Sequence, residues 1–161
     1  MKAATVNELK EELKHLPAGK LVELCSRLAR FKKENKELLT YLLFEAHDEE
    51  AYVLSVKAEI EEGFAQIPIG NSLYLQKKSL RKILRAVNKY IRYSGIRTTE
   101  AELLLYFCEQ LCNSSIAWRN SPVLVNMYNT QRKKVNSAIA SFHEDLQYDF
   151  ERRIKELTKT V

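Results

Sequence analysis

"EAELLLYFCEQLC", residues 100–112, is the stretch that decides the predicted fold. Its apolar side chains fall on most faces of a helix, so neighbouring elements have to cover nearly all of it. We therefore expect this helix to be central and buried. Thr99 and Glu102 have the spacing of a capping box, which predicts where the helix begins.

Helical periodicity continues on both sides of this segment. Thr5 and Glu8 fit a capping box that opens a first helix, and Asp48 is a good N-cap for a later one. Gly95 is placed to end a helix over 73–94 in the left-handed conformation. The last segment, to about residue 159, is either one long helix or two helices broken near Asn129-Thr130.

These patterns predict an all-α protein. Connections of two to six residues make sequential helices antiparallel neighbours. We expect a single domain over residues 1–161, with about six to eight antiparallel helices in a bundle or a short irregular stack of helical hairpins. In this interpretation residues 1–66 form N-terminal hairpins, 67–72 form a loop, and 73–161 contain a basic helix, the central helix and a long C-terminal helix. At this length folding can bury roughly 70% of the unfolded surface.

The cysteines and the first residues predict the compartment. Cys25, Cys108 and Cys112 lie within apolar helical patterns, so we expect reduced thiols packed in the core. The N-terminal residues lack the apolar stretch of a signal peptide, and the longest apolar run, 103–107, is too short to span a bilayer. The expectation is a soluble cytoplasmic protein without a membrane span.

No motif predicts catalysis or a cofactor. Cys108 and Cys112 share one helix face, but tetrahedral zinc needs two further ligands. His143 and Glu144 resemble the start of an H-E-x-x-H metalloprotease helix, but the fifth position is Gln147. We therefore expect no enzyme activity, no bound metal and no cofactor.

The basic residues are concentrated in one region. From Gly63 to Thr99 there are eight Lys or Arg and no Asp or Glu, although the whole chain carries a net charge of only +5. On a helical wheel for residues 73–94, the side that packs is marked by Leu80, Ile83, Leu84, Val87, Tyr90 and Ile91. The opposite side holds six candidate residues for binding a polyanion or a partner: Lys78, Arg81, Lys82, Arg85, Lys89 and Arg92.

Two interpretations of this basic face are open. Like charges spaced three or four residues apart repel by roughly 0.2–0.5 kcal/mol per pair, so something should offset them. Glu59, Glu61 and Glu62 precede the turn and are placed to pair with the first basic residues. That pairing leaves Arg85, Lys89 and Arg92 without a neighbour in sequence. Otherwise the face binds a polyanion or an acidic partner.

The leading functional expectation is a non-enzymatic protein-interaction or scaffold module, acting on a protein partner or by self-association. The alternative is a nucleic-acid-binding module that uses the basic face of helix 73–94. Nucleic acid is not favoured because the helix offers only Asn88 for reading bases and has no helix-turn-helix turn before it.

Two stretches carry a resemblance to a known family. "LKEELKHLPAGKLVELCSRLARFKKENKELLTYLL", at 9–43, and "EAELLLYFCEQL", at 100–111, together resemble a family of small, uncharacterised all-helical proteins from bacteria. The likeness lies in the leucine pattern and the order of elements and covers most of the chain. It implies an all-α fold and transfers no site residue.

Overall fold

The computed structural model describes residues 2–68, 70 and 72–159, and most of these are helical. They form eight α-helices and no strand, which confirms the all-α prediction. Ile69 and Asn71, in the predicted loop, lie outside the described residues. The helices are α1 (Val6–Lys14), α2 (Ala18–Phe31), α3 (Lys33–Thr40), α4 (Glu49–Ala65), α5 (Leu73–Ser94), α6 (Arg97–Asn113), α7 (Pro122–Ile139) and α8 (Glu144–Lys159). A π-helical segment (Tyr41–Glu45) and a 3₁₀ turn (Trp118–Asn120) complete the chain.

Contacts between Cα atoms divide the chain into two compact units, Met1–Phe44 and Glu45–Val161. The sequence predicted one domain, and the domain count stays a prediction. In the first unit α2 packs against α3, and the side-chain amide of Asn35 donates a hydrogen bond of 2.9 Å to the carbonyl of Leu28 near the end of α2. Among the described residues of this unit, Tyr41 alone is buried.

The second unit is organised around α6, which lies against α4, α5, α7 and α8. Leu103, Leu104, Leu105 and Phe107 are fully buried, as the unbroken apolar run predicts. The predicted capping box at its start is wrong. The hydroxyl of Thr99 donates instead to the carboxylate of Glu49 at 2.5 Å, and Glu102 faces other helices.

Helices α4 and α5 form an antiparallel pair. The Tyr52 hydroxyl donates to the carbonyl of Tyr90 at 3.0 Å, and the Ser94 hydroxyl donates to Glu49 at 2.5 Å. At the other end of the pair, a Cβ atom on Gly63 would lie 2.9 Å from the Cγ1 atom of Ile83. The two helices therefore approach closely because residue 63 has no side chain.

A half-buried ionic cluster joins α4, α6 and α8. Glu102 pairs with Lys57 at 2.5 Å and with Arg153 at 2.6 Å, and Arg153 also binds Glu109 at 2.9 Å. Burial opposes ionisation of Glu102, but the hydrogen bonds and charges of Arg153 and Lys57 outweigh it and lower the pKa of that carboxyl. At Glu109 burial dominates, and it raises the pKa despite the nearby guanidinium of Arg153.

Two further expectations need correction. The C-terminal segment is two helices, but the break lies at residues 140–143 rather than near Asn129-Thr130. At Asn129 and Thr130 helix α7 is continuous, and the Thr130 hydroxyl donates to the carbonyl of Asn126, one turn earlier, at 2.7 Å. All three cysteines are free, with Cys108 buried and Cys112 half-buried as expected, but Cys25 is exposed.

Candidate polyanion-binding surface

Helix α5 has the two sides that its sequence predicts. Of the six residues predicted to pack, Leu80, Ile83 and Val87 are buried against the rest of the second unit, whereas Leu84, Tyr90 and Ile91 are only half-buried. The helix ends at Gly95, whose φ of +67° is the predicted left-handed cap. With one side packed in the core, the charges on the opposite side are held on a rigid element.

Three of the predicted basic residues line one groove, here called the basic groove. Its volume is about 510 Å³, and its lining residues are Tyr74, Lys78, Arg81, Leu84, Arg85 and Asn88. None of these six residues is acidic, and Leu84 supplies the apolar part of the wall. The Nε atom of Arg85 donates to the carbonyl of Arg81 at 3.3 Å, which restrains that side chain.

The other three predicted residues lie elsewhere on α5. Lys82 lines a separate groove between α4 and α5 together with Glu59 and Tyr90. The Nζ atom of Lys89 lies over the rings of Tyr90 and Tyr93, 4.9 and 5.9 Å from their centres. Arg92 is exposed one turn beyond the groove. The six residues therefore divide between two sides of the helix.

Among the described residues, the predicted ion pairs between α5 and the acidic end of α4 are not formed. Glu59 accepts a hydrogen bond of 2.6 Å from the hydroxyl of Tyr90, and Glu61 accepts one from the hydroxyl of Tyr106. Glu62 accepts from the side-chain amide of Gln66 at 3.0 Å. The carboxylates that could have neutralised the basic helix are thus engaged by neutral groups.

The positive charges of most of the basic face are consequently not compensated by a neighbouring carboxylate. Within residues 2–68, 70 and 72–159, five of the six predicted side chains make no ion pair with a carboxylate. They are Lys78, Arg81, Lys82, Arg85 and Arg92. All five are exposed.

A further cation that the sequence could not place lies beside the basic groove. The Nζ atom of Lys134, on α7, lies 3.5 Å from the Oδ1 atom of Asn88. The amide of Asn88 is oriented by its donation to the carbonyl of Leu84 at 2.7 Å. The run "QRKK" at 131–134 is a sequence signal for positive charge, but only the packing of α7 brings it to α5.

The other clusters of ionisable groups have a structural role. In the cluster of α4, α6 and α8, each carboxylate is bound by a neighbouring cation, so the charges compensate one another. The part of the chain that the structure describes contains no group of three or more His, Cys, Asp or Glu side chains able to hold a metal ion. It also contains no helix long and apolar enough to cross a membrane.

Comparison with known proteins adds no assignment. The chain matches no family model, no curated protein and no solved structure. The resemblance of its leucine pattern to a bacterial helical family therefore stays a prediction, and the candidate surface is interpreted from its own geometry.

Proposed function

We propose that the protein is a non-enzymatic binding module whose basic groove holds the backbone of a single-stranded nucleic acid. One observation carries the proposal. Lys78, Arg81 and Arg85 line a common groove without a carboxylate among its lining residues, and Lys134 adds a fourth positive charge at its side. Uncompensated cations on a rigid helix favour a polyanionic ligand.

The residue types fit phosphate recognition. A guanidinium presents a planar fork of donors that can bind two phosphate oxygens, whereas the lysine ammonium acts as a point charge. Arg81, Arg85 and Arg92 supply the first kind of contact, and Lys78 and Lys134 supply the second.

The aromatic residue of the groove favours a single strand over a duplex. Tyr74, in the first turn of α5, is 73% exposed and lines the groove beside the basic residues. An exposed ring next to a track of cations is the arrangement with which proteins stack unpaired bases. In a duplex the bases are already stacked, so this ring would have no equivalent use.

The length of the track sets the expected size of the ligand. From Lys78 to Arg92 the helix advances about 21 Å at 1.5 Å per residue. Successive nucleotides lie roughly 3.4 Å apart along each strand of a duplex and farther apart in an unstacked strand, so at most about six of them cover that distance. We expect affinity to rise with oligonucleotide length up to about six nucleotides and to change little beyond it.

The protein-interaction or scaffold function and a cytoplasmic location stay predictions beside this proposal. A bacterial origin is implied only by the resemblance of the leucine pattern. The apolar faces of the first unit, which bear on protein interaction, are treated below.

The proposal is tested by fluorescence anisotropy with a labelled oligonucleotide of mixed sequence. Five phosphate contacts predict that the logarithm of the binding constant falls with the logarithm of salt concentration with a slope of about −3.5. The triple variant Lys78→Gln, Arg81→Gln, Arg85→Gln should lower the affinity strongly and reduce the magnitude of the slope by about 2.

A matched control separates a site from net charge. Arg97→Gln, Arg152→Gln, Lys155→Gln removes the same charge from exposed positions elsewhere in the second unit. If the two triple variants weakened binding equally, binding would depend on the net charge of the protein and not on the basic groove. Tighter binding of a duplex than of the single strand would contradict the assignment of the ligand.

A further inference from the structure

Helix α1 and the turn that follows it carry an apolar stripe that is exposed in the described structure. Val6, Leu9, Leu13 and Leu16 follow one another at spacings of three and four residues, and all are exposed, from 82% at Val6 to 36% at Leu16. Among the described residues of α1 none is buried. These spacings are the ones by which an amphipathic helix anchors itself in the groove of another protein.

Helix α1 has a well-defined N-terminus, but a helix of this length has little stability by itself. Its start is fixed by a capping box, in which the backbone amide of Thr5 donates to Glu8 at 2.7 Å and the amide of Glu8 donates back at 3.3 Å. A helix of nine residues is nevertheless marginal in water without tertiary contacts. Its apolar stripe therefore needs a surface to pack on.

The first unit also carries an apolar groove, between α2 and α3. Its volume is about 460 Å³, and its walls are largely apolar, with Lys36 as the charged residue of the lining. The apolar lining residues with long side chains are Leu21, Val22, Leu39, Leu43 and Phe44. The hydrogen bond from Asn35 to the carbonyl of Leu28 joins α3 to the end of α2. This contact within the unit helps to fix the positions of the two helices that form the groove.

We propose that two copies of this chain pair through their first units, with α1 of each copy lying in the α2–α3 groove of the other. The chain supplies both halves of a helix-in-groove contact, and a reciprocal exchange of them closes as a two-fold dimer. This pairing is independent of the nucleic-acid proposal, which concerns the second unit.

The proposed contact covers a large part of the exposed apolar surface of the first unit. On each copy it would cover seven exposed side chains, namely Val6, Leu9, Leu13 and Leu16 of the stripe and Val22, Leu43 and Phe44 of the groove. Because the contact is reciprocal, each copy buries both its stripe and its groove. A unit of this length has little core of its own, so covering these surfaces is its main source of stability.

Charge complementarity favours a second copy over a lipid surface. Beside the apolar stripe of α1 lies Glu12, and the groove carries Lys36. Within the described ranges neither side chain makes an ion pair, so each can pair with the other across the dimer. Helices that lie on membranes are instead rich in Lys and Arg on their polar face, whereas α1 carries three Glu and two Lys.

The first test measures the molecular mass of the full chain by light scattering and sedimentation from micromolar to millimolar concentration. We expect a monomer–dimer equilibrium. Leu9→Glu on the stripe and Leu43→Glu in the groove should each weaken it by at least about 30-fold, since both place a charge in the contact. Leu54→Glu, the same change at an exposed leucine of α4, should leave the equilibrium unchanged.

The second test distinguishes pairing between copies from packing within one chain. A chain with Leu9→Cys and Cys25→Ser is mixed with a differently tagged chain that keeps Cys25, which lines the groove. Under mild oxidation we expect a disulfide between the two tagged chains. It should be absent when the second chain carries Cys25→Ser.

The third test addresses the charges. Glu12→Lys and Lys36→Glu should each weaken the dimer by about fivefold to tenfold, because each variant opposes like charges at two symmetric contacts. The double variant should restore it. A monomer at millimolar concentration would overturn the proposal, and so would a dimer that Leu9→Glu and Leu43→Glu leave intact. Binding of α1 to anionic vesicles in place of dimer formation would overturn it as well.

Discussion

The Nζ atom of Lys134 lies 3.5 Å from the Oδ1 atom of Asn88, so α7 brings a positive charge to the side of α5 that carries the basic groove. Two helices separated by more than 25 residues of sequence therefore contribute to one surface. This relationship extends the positively charged surface beyond the exposed side of a single helix.

We expect Lys134→Gln to weaken binding of a single-stranded oligonucleotide and to reduce the magnitude of the salt slope by about 0.7, the contribution of one phosphate contact. Salt titrations monitored by anisotropy measure both effects. Lys133→Gln is the matched control, because it removes the same charge from an exposed neighbour on α7. Equal effects of the two variants would show that Lys134 makes no local contact with the ligand.

A second prediction concerns Arg153, which binds Glu102 and Glu109 at once. We expect Arg153→Leu to lower the free energy of unfolding by about 1.5–3 kcal/mol, because two half-buried carboxylates lose their charged partner. Urea denaturation measures the change. Arg152→Leu should cost less than about 1 kcal/mol, since Arg152 is exposed and makes one surface pair with Asp149.

The two carboxylates bound by Arg153 should affect the pH dependence of stability with opposite sign. The pKa of Glu102 is lowered from 4.5, so its contribution is present above pH 4.5 and is lost as pH falls through the folded-state pKa. The pKa of Glu109 is raised, so the unfolded state releases this proton first, and stability falls as pH rises from 4.5 through the folded-state pKa.

Unfolding free energies of two variants across acidic pH test these signs. Glu102→Gln should lose less stability than the wild type on acidification below pH 4.5. Glu109→Gln should lose less stability than the wild type as pH rises above 4.5. If both variants changed the pH dependence only below pH 4.5, or both only above it, the pKa values of the two carboxyls would be shifted in the same direction and the prediction would be wrong.

The cysteines provide a fourth prediction. In dilute solution Cys25 should react rapidly with an aromatic disulfide reagent, since its side chain is exposed. Burial raises the pKa of the Cys108 thiol to about 12 and also raises the pKa of the Cys112 thiol, so both should react slowly until the protein unfolds. The absorbance of the released thiolate gives both the number of thiols and their rates. Cys25→Ser should abolish the rapid phase.

Local sequence patterns predicted the helix ends correctly where those ends depend only on residues close in sequence. The capping box of Thr5 and Glu8, the N-cap of Asp48 and the left-handed Gly95 all involve residues within one turn of a helix end. The spacing of Thr99 and Glu102 is equally regular, but Thr99 is used by a residue 50 positions away. A tertiary partner overrides a local one where the chain brings it into reach.

The candidate site divides in the same way. A helical wheel places Lys78, Arg81 and Arg85 together, because their relation depends only on the helix. It cannot show that Lys82 turns towards α4, or that Lys134 reaches the groove, since both depend on which helices pack side by side. For the same reason the wheel places Cys25 on an apolar stripe without showing whether another surface covers that stripe.

The close approach of α4 and α5 at Gly63 has a consequence for the whole charged surface. A side chain at residue 63 would collide there with the side chain of Ile83, so either that side chain or the two helices would have to shift. Ile83 lies on the same helix as Arg81 and Arg85, so a displacement at this contact would also displace the guanidinium groups. The alignment of the positive charges thus depends on a residue that has neither a charge nor a side chain. A single methyl group added at residue 63 would disturb that alignment without removing any charge.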